Sequence, residues 1–144
     1  MTVRIKLKLT SKSTGREVEA VALVNTGFET LKPQLLVPVK VAELLGLWPS
    51  TPREYSAREY MTAGGPIRNY VLADEVEVKV MVEHETGIVL SDLVISTIEE
   101  EILISDKLSG RIGIEIYDLA EGIWRLKSDP PNVRRKSEER QAWL

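Results

Sequence analysis

Ala22-Leu23-Val24-Asn25-Thr26-Gly27-Phe28 is the stretch on which the fold turns: an apolar run that stops at a short polar loop carrying a glycine. Glu17 to Val24 begins by alternating and then loses its polar members, the pattern of a strand that becomes wholly apolar toward its end. Val21 to Val24 is therefore expected to be deeply buried, with Asn25 at the end of a core strand.

Upstream, Val3, Ile5, Leu7 and Leu9 alternate with Arg4, Lys6 and Lys8, the period of a half-buried strand, and Ser11 to Gly15 has the composition of a hairpin loop. Downstream, an irregular stretch to Val37 precedes Pro38, which suits the first turn of a helix running to about Leu45 and stopped by Gly46. Pro49 and Pro52 mark a loop. Arg53 to Tyr60 and Ile67 to Leu72 flank Thr62-Ala63-Gly64-Gly65-Pro66, a cluster of turn formers that reads as a hairpin tip. Val76, Val78, Val80 and Val82 alternate with polar residues, and Glu85-Thr86-Gly87 turns that strand into Ile88 to Ile95.

Further on, Glu99 to Leu103 is a short mixed segment, Ile104 to Gly110 a loop, Ile114 to Ala120 a short helix ended by Gly122, and Ile123 to Leu126 a last strand. Residues 1–127 thus make one domain. From Ser128 the character changes: Pro130-Pro131 breaks structure and a charged run follows, so 128–144 is a charged C-terminal tail or surface helix. Six to eight short strands with one or two short helices describe a mainly β protein, a small closed barrel with helical inserts.

Bulk properties exclude more than they assign. The 144 residues suffice for one hydrophobic core, and a formal net charge of -3 names no partner. The absence of cysteine rules out disulfides and thiolate metal sites and points to a cytosolic setting. No signal-peptide core opens the chain, and no run approaches the roughly 20 apolar residues of a membrane span. Basic Arg134 to Lys136 are followed at once by Glu138 and Glu139 without interleaved aromatics, so no nucleic-acid partner is expected. No phosphate-binding glycine loop is present, and the serines lack a partner histidine. His84 lies between Glu83 and Glu85, but neighbours on a strand point to opposite faces and do not converge on one ion. No metal or cofactor is expected. Glu99 to Glu101 reads as a solvated acidic edge, and Trp143 as an anchor for the tail on the body or on a partner subunit.

The apolar strand ending in Asn25-Thr26-Gly27, the Pro-started helix ending Glu43 to Leu47, the glycine-tipped hairpin and, downstream, Arg111-Ile112-Gly113 occur in an order that resembles the retropepsin-like aspartyl proteases, particularly their single-domain prokaryotic and archaeal members. The resemblance spans about residues 3–126. It implies a retropepsin-type barrel with the loop Asn25, Thr26, Gly27 at the catalytic position, and a peptide cleft formed by Phe28 and the flap residues Ala63, Gly64 and Gly65. Arg111-Ile112-Gly113 would brace that loop. One chain carries one such loop, so the resemblance also implies a homodimer, the Thr26 hydroxyls tying two loops together, with an extended peptide as substrate or ligand.

Two departures bear on the chemistry. Phe28 stands where alanine or serine is usual, and Arg111 where an apolar residue is usual. More important, Asn25 occupies the catalytic aspartate position. Two carboxyls about 3 Å apart share one proton and act as base and acid toward a water that attacks a peptide carbonyl. Two amides do neither, and the usual route to hydrolysis is closed. Glu29 and Asp74 lie off the motif and read as solvated charges. A divergent, catalytically impaired homologue, an active peptidase whose aspartate has been substituted, and a non-enzymatic peptide-binding or dimerisation module all fit this sequence.

Overall fold

The computed structural model describes residues 2–144, with the backbone alone at residues 60–62. Its elements are β1 (Arg4–Ser11), β2 (Glu17–Val24), β3 (Gln34–Pro38), α1 (Val39–Leu44), β4 (Ser56–Thr62), β5 (Gly65–Val80), β6 (Val89–Ser96), β7 (Ile102–Ile104), α2 (Asp106–Ile112), β8 (Ile114–Asp118), β9 (Ile123–Leu126) and β10 (Arg135–Lys136). Seven strands lie in the order β1-β2-β7-β3-β6-β5-β4, and β1 also pairs with β5. That pairing closes β1, β2, β7, β3, β6 and β5 into a six-stranded barrel, leaving β4 outside as the partner of β5. The chain is mainly β with two short helices, as the spacing of its strands predicts.

Alternation explains the interior. Ile5, Leu7 and Leu9 of β1, Ala20 and Ala22 of β2, Val76 and Val78 of β5, and Leu93 and Ile95 of β6 all point inward and form one core with Leu35, Ile102 and Ile104. The inward face of each strand therefore covers the inward face of its neighbours, and barrel closure removes the edges an open sheet would expose. Strand β2 keeps this alternation to its end: Ala22 is buried, whereas Val21, Leu23 and Val24 are only half-buried. An apolar run thus marks a strand covered on both faces, but not one sealed on both.

Strand β5 is one continuous element of 16 residues. Its first half pairs with β4 to form a ribbon, and its second half is barrel wall, paired with both β1 and β6. The register with β6 shifts between Leu72 and Val76, where Asp74 takes φ 49°, so a bulge separates ribbon from wall. Outside the ribbon base, Trp48, Tyr55 and Tyr70 meet ring to ring with centroids 5.3 to 5.8 Å apart. Such tilted pairs add about 0.5–1.5 kcal/mol beyond their buried area.

Three expectations are corrected. The stretch before Pro38 holds strand β3, and Pro38 is the cap of α1 rather than its first residue. Ile104 to Gly110 is not a loop: Ile104 ends β7 and Asp106–Ile112 is helix α2, capped by Ser105, whose side chain accepts from Leu108 N. Ile114 to Ala120 is not a helix, since Ile114, Glu115, Ile116 and Asp118 pair with β9. Alternating isoleucines favour a pleated, half-covered surface over a helix.

The segment after Ser128 is not helical either. It forms β10 against β9 and then runs along the start of β1, where Arg4 N donates to Ser137 Oγ at 2.7 Å and Glu138 N to Arg4 O at 2.8 Å. Val21 N donates to Gln141 Oε1, Trp143 N donates to Glu100 O, and the Trp143 ring packs against the barrel core, anchoring the tail on the body. The acidic run is only partly solvated: Glu101 is buried and pairs with Arg4 and Arg140.

Buried Asp129 secures the base of this tail. Its carboxylate accepts from Arg135 Nε and Leu126 N, and His84 Nε2 lies 3.3 Å from its Oδ1, while Arg135 also grips Glu83. The Arg135 guanidinium holds Asp129 well below the ordinary carboxylate range and brings Glu83 down to about 2. A carboxyl whose pKa falls on folding stabilises the protein fully above its unfolded value, about pH 4, and that contribution disappears as pH falls through the folded value. Asp129→Asn is expected to cost about 2 kcal/mol of unfolding free energy at neutral pH and to flatten the further loss of stability below about pH 4, as read by urea denaturation across that range.

Candidate functional site

The chain leaves β2 on one side of β7 and returns as β3 on the other, so residues 25–33 must arch over the end of β7. Backbone groups in such an arch need partners, and the residues just after β7 supply them. Asn25 N donates to Ile104 O at 3.2 Å, Asp106 N donates to Phe28 O at 2.9 Å, and Thr30 N donates to Asp106 Oδ1 at 3.0 Å. Ser105, fully buried, accepts at Oγ from Gln34 N and Leu108 N, while its own N–H donates to Gln34 O. One serine thus caps α2 and fixes the far end of the arch.

The segment that braces the Asn25 loop is therefore Ile102 to Asp106. Arg111-Ile112-Gly113, the expected brace, instead ends α2, with Gly113 at φ 90° in the left-handed conformation that closes a helix. The signal was present in the sequence: Ser105 followed three residues later by apolar Leu108 is a helix N-terminus, preceded by three apolar residues fit for a buried strand.

Within the loop, Asn25 Oδ1 accepts from Gly27 N at 3.0 Å, and Phe28 N donates to Asn25 O at 3.0 Å. A side chain at position 27 would meet Asn25 Oδ1 at 3.3 Å, which is why a residue without Cβ suits that position. Thr26 and Gly27 are exposed, and Leu31 is 98% exposed. A carboxylate at position 25 would accept the same hydrogen bond from Gly27, so asparagine and aspartate suit this loop alike and differ in the titratable group.

Phe28 turns inward. It packs with Leu103 on a small cluster of Leu36, Val71 and Val94, joining the loop to the base of the β4–β5 ribbon through Val71. The ring therefore fills the space between loop and ribbon. Ala63 and Gly64 stand exposed at the ribbon tip, with Gly65 at φ 112° opening β5. Among the described residues, no hydrogen bond links Ala63 or Gly64 to the Asn25 loop.

Sequence reasoning passed over a second group beside the loop. A cavity of ≈ 300 Å³ lies between residues 30–32 and the ribbon base, bordered by Lys32, Arg58, Val71 and Asp92. Buried Asp92 accepts from Asp74 N, Gln34 Nε2 and Lys32 Nζ, the last at 3.1 Å. The hydrogen bond to Asp92 raises the Lys32 pKa. Asp74 pairs with Lys32 at 3.5 Å and Glu29 is exposed, so neither stands in for a carboxyl at position 25. Lys32 lies in the arch, Arg58 on β4, Val71 and Asp74 on β5 and Asp92 on β6, in no local motif.

Neither a search of protein-family models nor one of curated protein sequences finds a match to this chain.

Replacing Ser105 removes one acceptor from two buried N–H groups. Ser105→Ala is expected to lower stability by about 2 kcal/mol, and amide hydrogen exchange should quicken first at Gln34 and Leu108.

Proposed function

We propose that this chain is a homodimeric peptide-binding protein of the retropepsin-like aspartic peptidase type, in which Asn25 closes the hydrolytic route. The observation that carries this reading is the arched Asn25 loop, its backbone held by Ile104, Ser105 and Asp106 while Thr26 and Gly27 face outward. A loop tied this firmly from behind holds its outward groups in fixed positions, as recognition or catalysis requires. Exposed Thr26 and Leu31 support contact with a second copy at the loop, and the two-stranded ribbon supports a cleft for an extended ligand.

Chemistry separates the binding reading from a peptidase one. With aspartate at position 25 in both subunits, one carboxylate would take a proton from water as its oxygen attacks the peptide carbonyl. The other carboxyl would protonate the carbonyl oxygen, and collapse would expel the amine with a proton. An asparagine pair has neither a base nor an acid for these transfers. The Asn25 Oδ1 to Gly27 N hydrogen bond, which a carboxylate makes equally well, favours as a second reading an active peptidase with its aspartate substituted.

Peptide hydrolysis at acidic pH tests both. The chain as it stands is expected to show none, and Asn25→Asp to gain activity of about 10² fold or more over it. If Asn25→Asp cleaves nothing in a broad peptide library, the peptidase ancestry of the site is wrong. Sedimentation should show a dimer at micromolar concentration, and a strictly monomeric species would overturn the shared site.

A further inference from the structure

Residues directly opposite in an antiparallel pair share a face. In the β4–β5 ribbon Ser56 faces Val71 and Arg58 faces Asn69, so these four lie on the face whose Val71 belongs to the cluster on which Phe28 packs. Glu59 and Arg68 pair with each other on the opposite face, 3.7 Å apart. The cleft side of the ribbon thus carries one cation, Arg58, and one amide, Asn69.

Both lack partners. Arg58 is exposed, borders the cavity beside residues 30–32, and makes no ion pair among the described residues. Lys32, the other cation on that cavity, is engaged by Asp92 and Asp74. Asn69 is 3% exposed, and its Oδ1 is buried without a donor among the described residues. That atom is sealed from solvent and Asn69 does not border the cavity, so Arg58 is the ribbon group open to a ligand there. An extended peptide offers an N–H at every residue and a side chain at every second position of one face.

We infer that the cavity between Leu31 and Arg58 is a specificity pocket for an acidic side chain of an extended peptide, Arg58 pairing with its carboxylate. The inference rests on the peptide-binding reading above and adds the class of peptide. A guanidinium and a carboxylate form the stronger, charge-assisted kind of hydrogen bond, and Val71 and Leu31 provide apolar contact for the side-chain stem.

The test uses the full chain and fluorescein-labelled octapeptides of alanine and valine, C-terminally amidated, with a single Glu, Gln or Lys moved through the positions. Fluorescence anisotropy should show Glu peptides binding about tenfold more tightly than Gln peptides at one position, and Lys peptides more weakly still. That preference should shrink with added salt. Arg58→Glu, at an exposed position, should leave the unfolding midpoint unchanged and reverse the order in favour of Lys. Peptides that bind without regard to charge would overturn the pocket and leave the peptide-binding reading standing. A preference for the free C-terminal carboxylate, in unamidated peptides without Glu, would also overturn it. If no peptide of the set binds, both readings fall.

Discussion

Strand β7 contributes only Ile102 to Ile104, yet β2 and β3 both close on it, one parallel and one antiparallel. Every feature of the Asn25 loop follows from that insertion. A chain that must cross from one side of a strand to the other arches over its end, and the arch can be ordered only if its exposed amides and carbonyls find partners. Ile104, Ser105 and Asp106 are placed to supply them because α2 begins at once after β7. Helix start and loop brace are the same few residues, with Ser105 serving both.

Beyond the arch, buried carboxylates are satisfied in compact sets. Glu75, buried at the β5 bulge, accepts from Ser11 Oγ, Ser13 N and Ser13 Oγ and pairs with Arg53, holding the first hairpin loop against the bulge. Burial alone would raise its pKa; the serine hydrogen bonds and Arg53 outweigh it and leave the pKa lowered. Asp129 and Asp92 are treated alike, each with several donors. Among the described residues four buried side-chain atoms depart from this pattern, Asn69 Oδ1, Ser109 Oγ, Arg125 Nε and Trp143 Nε1.

Much of the barrel was legible in sequence because the signals were local. Period-two alternation located β1, β2, the valine-rich half of β5 and β6, and turn formers located the ribbon tip. The misread parts share a cause. β3 and β7 are short, covered on both faces and flanked by residues equally common in loops, so nothing in their own sequence distinguishes them from irregular chain. Missing the cap at Ser105 left α2 unread and its place to a helix expected at Ile114, while the brace expected at Arg111 came from the resemblance and falls at the end of α2. Of the candidate site, Asn25, Thr26, Gly27 and Phe28 stood out as one motif. Lys32, Arg58 and Asp92 come together only through the pairing of segments far apart in sequence, and their types alone are those of any surface.

The threading of β7 also governs when the Asn25 loop can exist at all. Ala22 pairs with Ile102, so the partners that order the loop emerge from synthesis roughly eighty residues after it. Contacts of such long sequence range form slowly, because the intervening chain loses its freedom before the contacts compensate. Until Asp106 has been made, a growing chain carries Asn25 to Phe28 on a segment with no acceptor at Ile104 and no donor at Asp106. The Asn25 loop is consequently among the last parts of the molecule to become ordered, and it takes shape in the same step that completes the barrel.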